Sequence, residues 1–365
     1  MDRTRTDTPV AIPPLPESAL EHQPTQDRAS PTPSSGPRGG EPEAFRPVFL
    51  VGCERSGTTL LATILGRHPR VSMPPETGYC WHLARTPPPQ GTDLDGVLSW
   101  AAGIPRFADL GVSAADLARA AHGVDAPGLD PRGVVLRAML EAFASGERTT
   151  DRPKDVIAEK SPVHLFSYPV LRRWFPAARF LCVVRDGRDV VESLAKVPWT
   201  SGEPREMHAR QWRLCMRVTR HMSETLGADA LVLRYEDLLA RPEAVLTRAC
   251  AFIGVAFDPE MLAPRGEEST VPGWEAGWKD KATRELDPSR ALAWKRTMEP
   301  RAARWLSMLM RPELARWGYE PGTASGLSER ARHAILARVC APIWDVRVTR
   351  RRTGARSLRA AQRLA

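Results

Sequence analysis

The sequence predicts an α/β fold, with a parallel sheet carrying helices on both faces. Three observations lead there. Short, continuously apolar runs stand at 48–51, 180–184 and 231–233, each suited to a strand covered on both sides. Each run is followed at once by a polar turn and then by a helix-like stretch. Longer helical patterns fill the interval between the first two units.

The chain opens with residues 1–43, rich in Pro, Ser, Thr and Gly and without an apolar period; they predict a disordered leader. The folded domain is expected over 44–325. A basic helical extension, with its arginines at 347–363, is expected over 326–365. In the first unit, VFLV runs into GCERSGTT (52–59) and then into an apolar helix at 60–65. Residues 113–122 and 133–145 have helical patterns, with Ser113 placed to cap the first. In the second unit, FLCVV (180–184) is followed by RDGRD (185–189) and a helix from about 188–190 to 196. The third unit is a strand at 231–233, then RYEDLL, and then a helix over 242–253 with Pro242 in its first turn.

The chain has 365 residues, 42% hydrophobic and 26% charged, so it can bury a large core without disulfides. Six scattered cysteines form no C-x-x-C pair and no zinc-spaced cluster, which predicts buried thiols in a reducing compartment. There is no apolar run of membrane-spanning length and no apolar signal core near the N-terminus, so the expectation is a cytoplasmic protein without a membrane span. The net charge is +9 and is carried almost entirely by Arg, since Lys stands only at 154, 160, 196, 279, 281 and 295. Guanidinium forks match phosphate and sulfate, or nucleic acid.

The segment Gly52-x-x-x-x-Gly57-Thr58-Thr59 has the spacing of a phosphate-binding loop, so the sheet is P-loop-like. Its backbone N–H groups and the following helix, with about half a positive charge at its N-terminus, would favour an anion. Arg55, Ser56, Thr58 and Thr59 add donors. Thr58 stands where a nucleotide triphosphatase needs Lys, which argues against ATP and against a catalytic metal. Arg185 at the tip of the second strand and Ser193 eight residues on form a second candidate anion site at the same sheet edge. The plainer reading of RDGRD is a surface turn in which Asp186 and Asp189 pair with arginines.

These motifs resemble those of the PAPS-dependent sulfotransferase superfamily, where PAPS is 3′-phosphoadenosine-5′-phosphosulfate. GCERSGTTLLATIL is similar to its 5′-phosphosulfate loop, and FLCVVRDGRDVVESL to its 3′-phosphate segment. HPRV at 68–71, Glu76–Thr77, KSP at 160–162 and the stretch 174–188 resemble the tyrosylprotein sulfotransferase-like branch. The resemblance covers about 48–318 and implies the sulfotransferase fold with PAPS as co-substrate and no metal. It implies that Arg55, Ser56, Gly57, Thr58 and Thr59 bind the 5′-phosphosulfate, that Arg185 and Ser193 bind the 3′-phosphate, and that Tyr235 contacts the nucleotide. It places Glu76 at the catalytic base and Lys160 at the residue that steadies the transferring group. The family's late donor loop corresponds to 291–298, around Trp294, Lys295 and Arg296; Leu292 and Ala293 stand where the branch has a serine.

Sulfuryl transfer needs a base for the acceptor hydroxyl and cations for the moving group. Glu76 is the expected base, desolvated by Met73, Pro74, Pro75, Tyr79 and Trp81. His164 is the alternative base. Arg55 and Lys160 share the charge work, although Lys160 could simply pair with Glu159 or Asp155. Trp274, Trp278 and Trp294 either line the site or pack in the core. The expected acceptor is a small-molecule hydroxyl, with a peptide tyrosine as alternative. A homodimer is allowed for, and nucleic acid is not expected as a partner. A P-loop kinase and a nucleic-acid-binding protein stand as competing readings.

Overall fold

The computed structural model describes residues 45–147, 154–200, 202–263 and 286–322. The leader, the C-terminal extension, Trp274 and Trp278 lie outside the described residues. Strands β1 (Val48–Gly52), β2 (Val71–Ser72), β3 (Val156–Lys160), β4 (Arg179–Val184) and β5 (Ala230–Arg234) form one sheet in the order β2-β3-β1-β4-β5. Every pairing is parallel. The predicted strands at 48–51, 180–184 and 231–233 are β1, β4 and β5. Strands β2 and β3 were not among the expected strands, being two residues long and polar-ended respectively.

Alternation along the strands divides the core in two. Phe49, Val51, Phe180, Cys182 and Val184 face one side. There they pack with α3 (Leu94–Ala102), α4 (Ala114–His122), α5 (Pro131–Gly146), α6 (Tyr168–Trp174), α7 (Gly187–Leu194), α8 (Arg205–Leu226) and α12 (Pro300–Arg316). Val48, Leu50, Leu181 and Val183 face the other side and meet α1 (Thr58–Gly66), α9 (Tyr235–Ala240) and α10 (Pro242–Ile253). The helix α2 (Tyr79–Arg85) follows β2, and the single turn α11 (Trp294–Thr297) precedes α12.

Helix starts follow local chemistry. Ser113 accepts the Asp116 N–H, as expected, and Asp130 caps α5 ahead of Pro131. One expectation shifts, since α7 begins at Gly187, capped by Asp186; in RYEDLL, Arg234 ends β5 and the rest forms the helix α9. Gly187 is needed there because a Cβ would lie 2.6 Å from Met310 Sδ and 2.7 Å from the Trp212 ring. The small residue lets α7 press against α8 and α12, which sets the height of the RDGRD turn over the sheet. Among the described residues, the five cysteines are all buried and free.

Candidate active site

Four strand ends converge at the carboxyl edge of the sheet, where ligands of parallel α/β folds bind. β1 delivers the loop 52–57, β4 delivers Arg185, β5 delivers Tyr235, and β3 ends on Lys160. The loop enters α1 through Gly57 (φ 100°), with no side chain capping the first turn. Arg55 has a left-handed backbone (φ 67°), uncommon for a residue with a Cβ and frequent at functional sites.

The two anion motifs meet. Arg55 Nε donates to Ser193 Oγ at 3.0 Å, and Arg185 Nη1 donates to the Arg55 carbonyl at 3.3 Å. The Arg185 guanidinium lies 4.3 Å from the centroid of the Tyr235 ring, a cation–π contact. Ser193 thus accepts from Arg55 while Arg185 donates to the Arg55 carbonyl, so both residues of the second motif bond to the first loop. Two buried polar atoms, Ser56 Oγ and Arg185 Nε, have no hydrogen-bond partner among the described residues. Both can donate, and both sit on the cradle. Orphaned buried donors of this kind are what an anionic ligand would satisfy, so the residues fit a doubly phosphorylated donor.

RDGRD is a paired turn and a buried one. Asp186 holds Arg188 at 2.6 Å with both side chains essentially enclosed, and Asp189 lies 3.6 Å from Arg185. Burial pushes the Asp189 carboxyl above its ordinary value; the charge of Arg185 opposes that and the charge of Asp186 adds to it. Asp189 accepts the Trp294 N–H at 2.8 Å, Asp186 accepts the indole N–H at 3.2 Å, and Arg188 stacks 3.8 Å from the indole centroid. Trp294 thus fastens the late segment to the turn, and the Arg290 carbonyl accepts from Arg185 at 3.1 Å. Lys295 Nζ lies 5.8 Å from the Trp294 ring centroid, and both Lys295 and Arg296 have further partners. Lys295 reaches Glu320 at 3.1 Å, and Arg296 donates to the Ser289 carbonyl. One helical turn cannot turn three consecutive side chains to the same side, and Trp294 takes the inward position.

On the other side of β1, Lys160 Nζ donates to Glu76 Oε2 at 2.8 Å, with the side chains 7% and 14% exposed. The Glu76 carboxylate is thus largely withdrawn from solvent, as expected. Neither Glu159 nor Asp155 takes Lys160: Asp155 pairs with Arg70, and Glu159 faces the opposite side of β3. Arg106 Nη1 donates to the Glu76 carbonyl at 3.4 Å.

His164 is fully enclosed and engaged at both nitrogens. Nε2 accepts the Cys80 N–H at 3.1 Å, so Nδ1 must carry the proton that it gives to Glu159 Oε2 at 2.9 Å. No lone pair is left for an acceptor proton, which removes His164 as a base. Burial would raise the Glu159 carboxyl, but the imidazole and the hydroxyls of Ser161 and Thr77 outweigh it and hold it below the ordinary range. Sequence reasoning missed Glu159, Ser161 and the docking role of Trp294. The only signal was a Glu beside a Lys at the end of an apolar VIA run. Among the described residues no His/Cys/Asp/Glu cluster could hold a metal ion, and no helix is long and apolar enough to cross a membrane.

The family model described as "Sulfotransferase family" matches residues 47–259. Protein-tyrosine sulfotransferase A of Caenorhabditis elegans is 23% identical over 288 residues, covering 75% of this chain and 67% of that protein. Protein-tyrosine sulfotransferase 2 of Gallus gallus is 28% identical over 229 residues, covering 59% and 53%. The chain thus spans between about half and two thirds of the length of these relatives. Two solved structures share the fold. The sulfotransferase domain from the Synechococcus PCC 7002 olefin synthase superposes with a TM-score of 0.54 at 21% identity, covering 79% of this chain and 99% of that one. The sulfotransferase domain from the curacin biosynthetic pathway gives 0.53 at 20% identity, covering 76% and 99%.

Proposed function

This chain belongs to the sulfotransferase family, and from that premise we propose that it transfers a sulfuryl group from PAPS to the phenolic hydroxyl of a peptide tyrosine. The sequence alone favoured a small-molecule hydroxyl. The protein-tyrosine sulfotransferases it resembles support the tyrosine reading instead. The observation that carries the donor assignment is the Arg55–Ser193 hydrogen bond, which joins the two anion motifs into one cradle.

In this reading, Arg55, Ser56, Gly57, Thr58 and Thr59 hold the 5′-phosphosulfate. Arg185 and Ser193 hold the 3′-phosphate, with Tyr235 against the nucleotide. The donor supplies the sulfuryl group and leaves as 3′-phosphoadenosine-5′-phosphate. Glu76 takes the proton of the acceptor hydroxyl as that oxygen bonds to sulfur and the bond from sulfur to the 5′-phosphate oxygen breaks. Lys160, already 2.8 Å from Glu76, stands where a cation can oppose charge on the sulfuryl oxygens and help align the two partners in line. The product is a sulfate ester. Thr58 in place of the P-loop Lys disfavours a kinase.

The test has two parts. Calorimetric titration with 3′-phosphoadenosine-5′-phosphate, without magnesium, should show binding by the wild type that Arg185→Ala loses. Incubation with radiolabelled PAPS and a tyrosine peptide, against its phenylalanine counterpart, should label only the former. A folded wild type that ignores the nucleotide would return the kinase reading, and labelling of neither peptide would reject the tyrosine acceptor.

A further inference from the structure

Residues 76–78 straddle the end of β3. Successive strand residues point to opposite faces, and the register pairs Glu159 with Phe49 and Lys160 with Leu50, residues of the two separate cores. Lys160 meets Glu76 on one side. On the other, Glu159 Oε1 accepts the Thr77 hydroxyl at 2.8 Å, the Thr77 N–H at 3.3 Å and the Ser161 hydroxyl at 2.5 Å. Ser161 Oγ in turn accepts the Gly78 N–H at 2.9 Å. Glu159 Oε2 accepts from His164, whose other nitrogen accepts the Cys80 N–H. Residues 77, 78 and 80 are therefore fastened to β3 and the segment after it through one enclosed carboxylate, and the Tyr79 N–H between them donates to Thr77 Oγ1 at 3.3 Å.

A buried carboxylate is costly unless its partners are fully arranged, and a lone stabilising contact would not need four donors. The arrangement fixes the backbone that carries Glu76 relative to the strand that carries Lys160. We propose that Glu159, acting through Thr77, Ser161 and neutral His164, is a positioning residue that sets the Glu76 carboxylate against Lys160 for proton removal. The inference rests on Glu76 being the base in the reading above. Substitution by Gln breaks the chain in either amide orientation. If the amide NH₂ faces His164 it meets the Nδ1–H, and if it faces Thr77 and Ser161 their hydroxyls can turn to accept but the Thr77 N–H is left facing a donor. A change of His164 tautomer only moves the conflict to the Cys80 N–H.

The test compares wild type, Glu159→Gln and the milder Ser161→Ala on a tyrosine peptide and on the same peptide carrying 3,5-difluorotyrosine, whose phenol is more acidic and needs less help from a base. Glu159→Gln should lower kcat on the tyrosine peptide roughly 10²-fold, in the range of a lost general base, while the affinity for 3′-phosphoadenosine-5′-phosphate stays within twofold. Ser161→Ala should fall in the same direction by less. For both variants the loss should shrink on the fluorinated peptide. Equal losses on the two peptides, weakened nucleotide binding in step with kcat, or wild-type kcat in Glu159→Gln would each overturn the positioning role. If Glu159→Gln does not fold, Ser161→Ala decides by the same comparison. A wild type inactive on both peptides would overturn the tyrosine reading, and this inference with it.

Discussion

The Gly57 backbone lies directly beneath the Tyr235 ring: a Cβ at position 57 would stand 2.3 Å from the ring carbon Cδ2. The loop after β1 and the first residue of α9 are thus in contact only because one of them has no side chain. Arg185 covers the same ring from 4.3 Å. Gly57→Ala should therefore displace Tyr235 and disturb Arg185 together, besides straining a backbone at φ 100°. The expected outcome is loss of measurable 3′-phosphoadenosine-5′-phosphate binding by calorimetry, with stability lowered by roughly 1–3 kcal/mol.

Ser193→Ala removes the acceptor for Arg55 Nε without touching Arg185. A hydrogen bond to a charged group is worth more than a neutral one, so nucleotide affinity should fall on the order of tenfold. Transfer at saturating donor should change far less. A drop in kcat with unchanged affinity would place Ser193 elsewhere in the reaction.

Glu76→Gln keeps the shape of the side chain and an oxygen for Lys160 but cannot take a proton. It should lower kcat by roughly 10²–10⁴ and leave nucleotide binding intact. Lys160→Ala should lower kcat by about 10²–10³, the cost of one lost electrostatic donor to the transition state. Steady-state kinetics beside calorimetry separates the two effects from donor binding. Full activity in Glu76→Gln would require another base.

Glu236 lies beneath the Arg185 turn, accepting the Asp186 N–H at 3.0 Å and the Tyr319 hydroxyl at 2.9 Å. Burial pushes its carboxyl from the usual 4.5 up to about 7, with the charge of Asp186 adding to it and Arg234 opposing. The folded state thus binds this proton more tightly than the unfolded chain. Its contribution to stability is fully present below pH 4.5 and is lost as pH rises through 7. The swing is on the order of 3 kcal/mol. Thermal melts from pH 5 to 8.5 should show Glu236→Gln gaining on the wild type as pH rises. Parallel curves would mean that Glu236 is ionised throughout.

How far the sequence led depends on what each residue's environment shares with its neighbours in the chain. β1, β4 and β5 are covered on both faces, so their apolar runs are visible. The glycine loop and RDGRD carry their own spacing. β3 was not visible, because its last two residues are a Glu and a Lys with buried partners that lie more than eighty positions away or in the following turn. His164 looked like a candidate base because a ring nitrogen's partners cannot be read from spacing. Its two hydrogen bonds, to Glu159 and to the Cys80 backbone, exist only once the fold brings α2 against β3. The same limit applies to Lys295 and Arg296. Their types suit an anion, but Trp294 claims the inward direction of that turn.

The ties that hold Arg185 in place come partly from far along the chain, through Trp294, the Arg290 carbonyl and, by way of Glu236, Tyr319. A truncated protein ending at Ile253, after α10, would retain Arg55–Thr59, Arg185, Ser193 and Tyr235 but none of those fastenings. It would also lose Met310, which packs on Gly187 from α12. Possession of both motifs is thus a poor guide to where an expressible, nucleotide-competent fragment can be cut. The smallest such fragment has to run through Tyr319, about sixty-five residues beyond the last helix of the sheet.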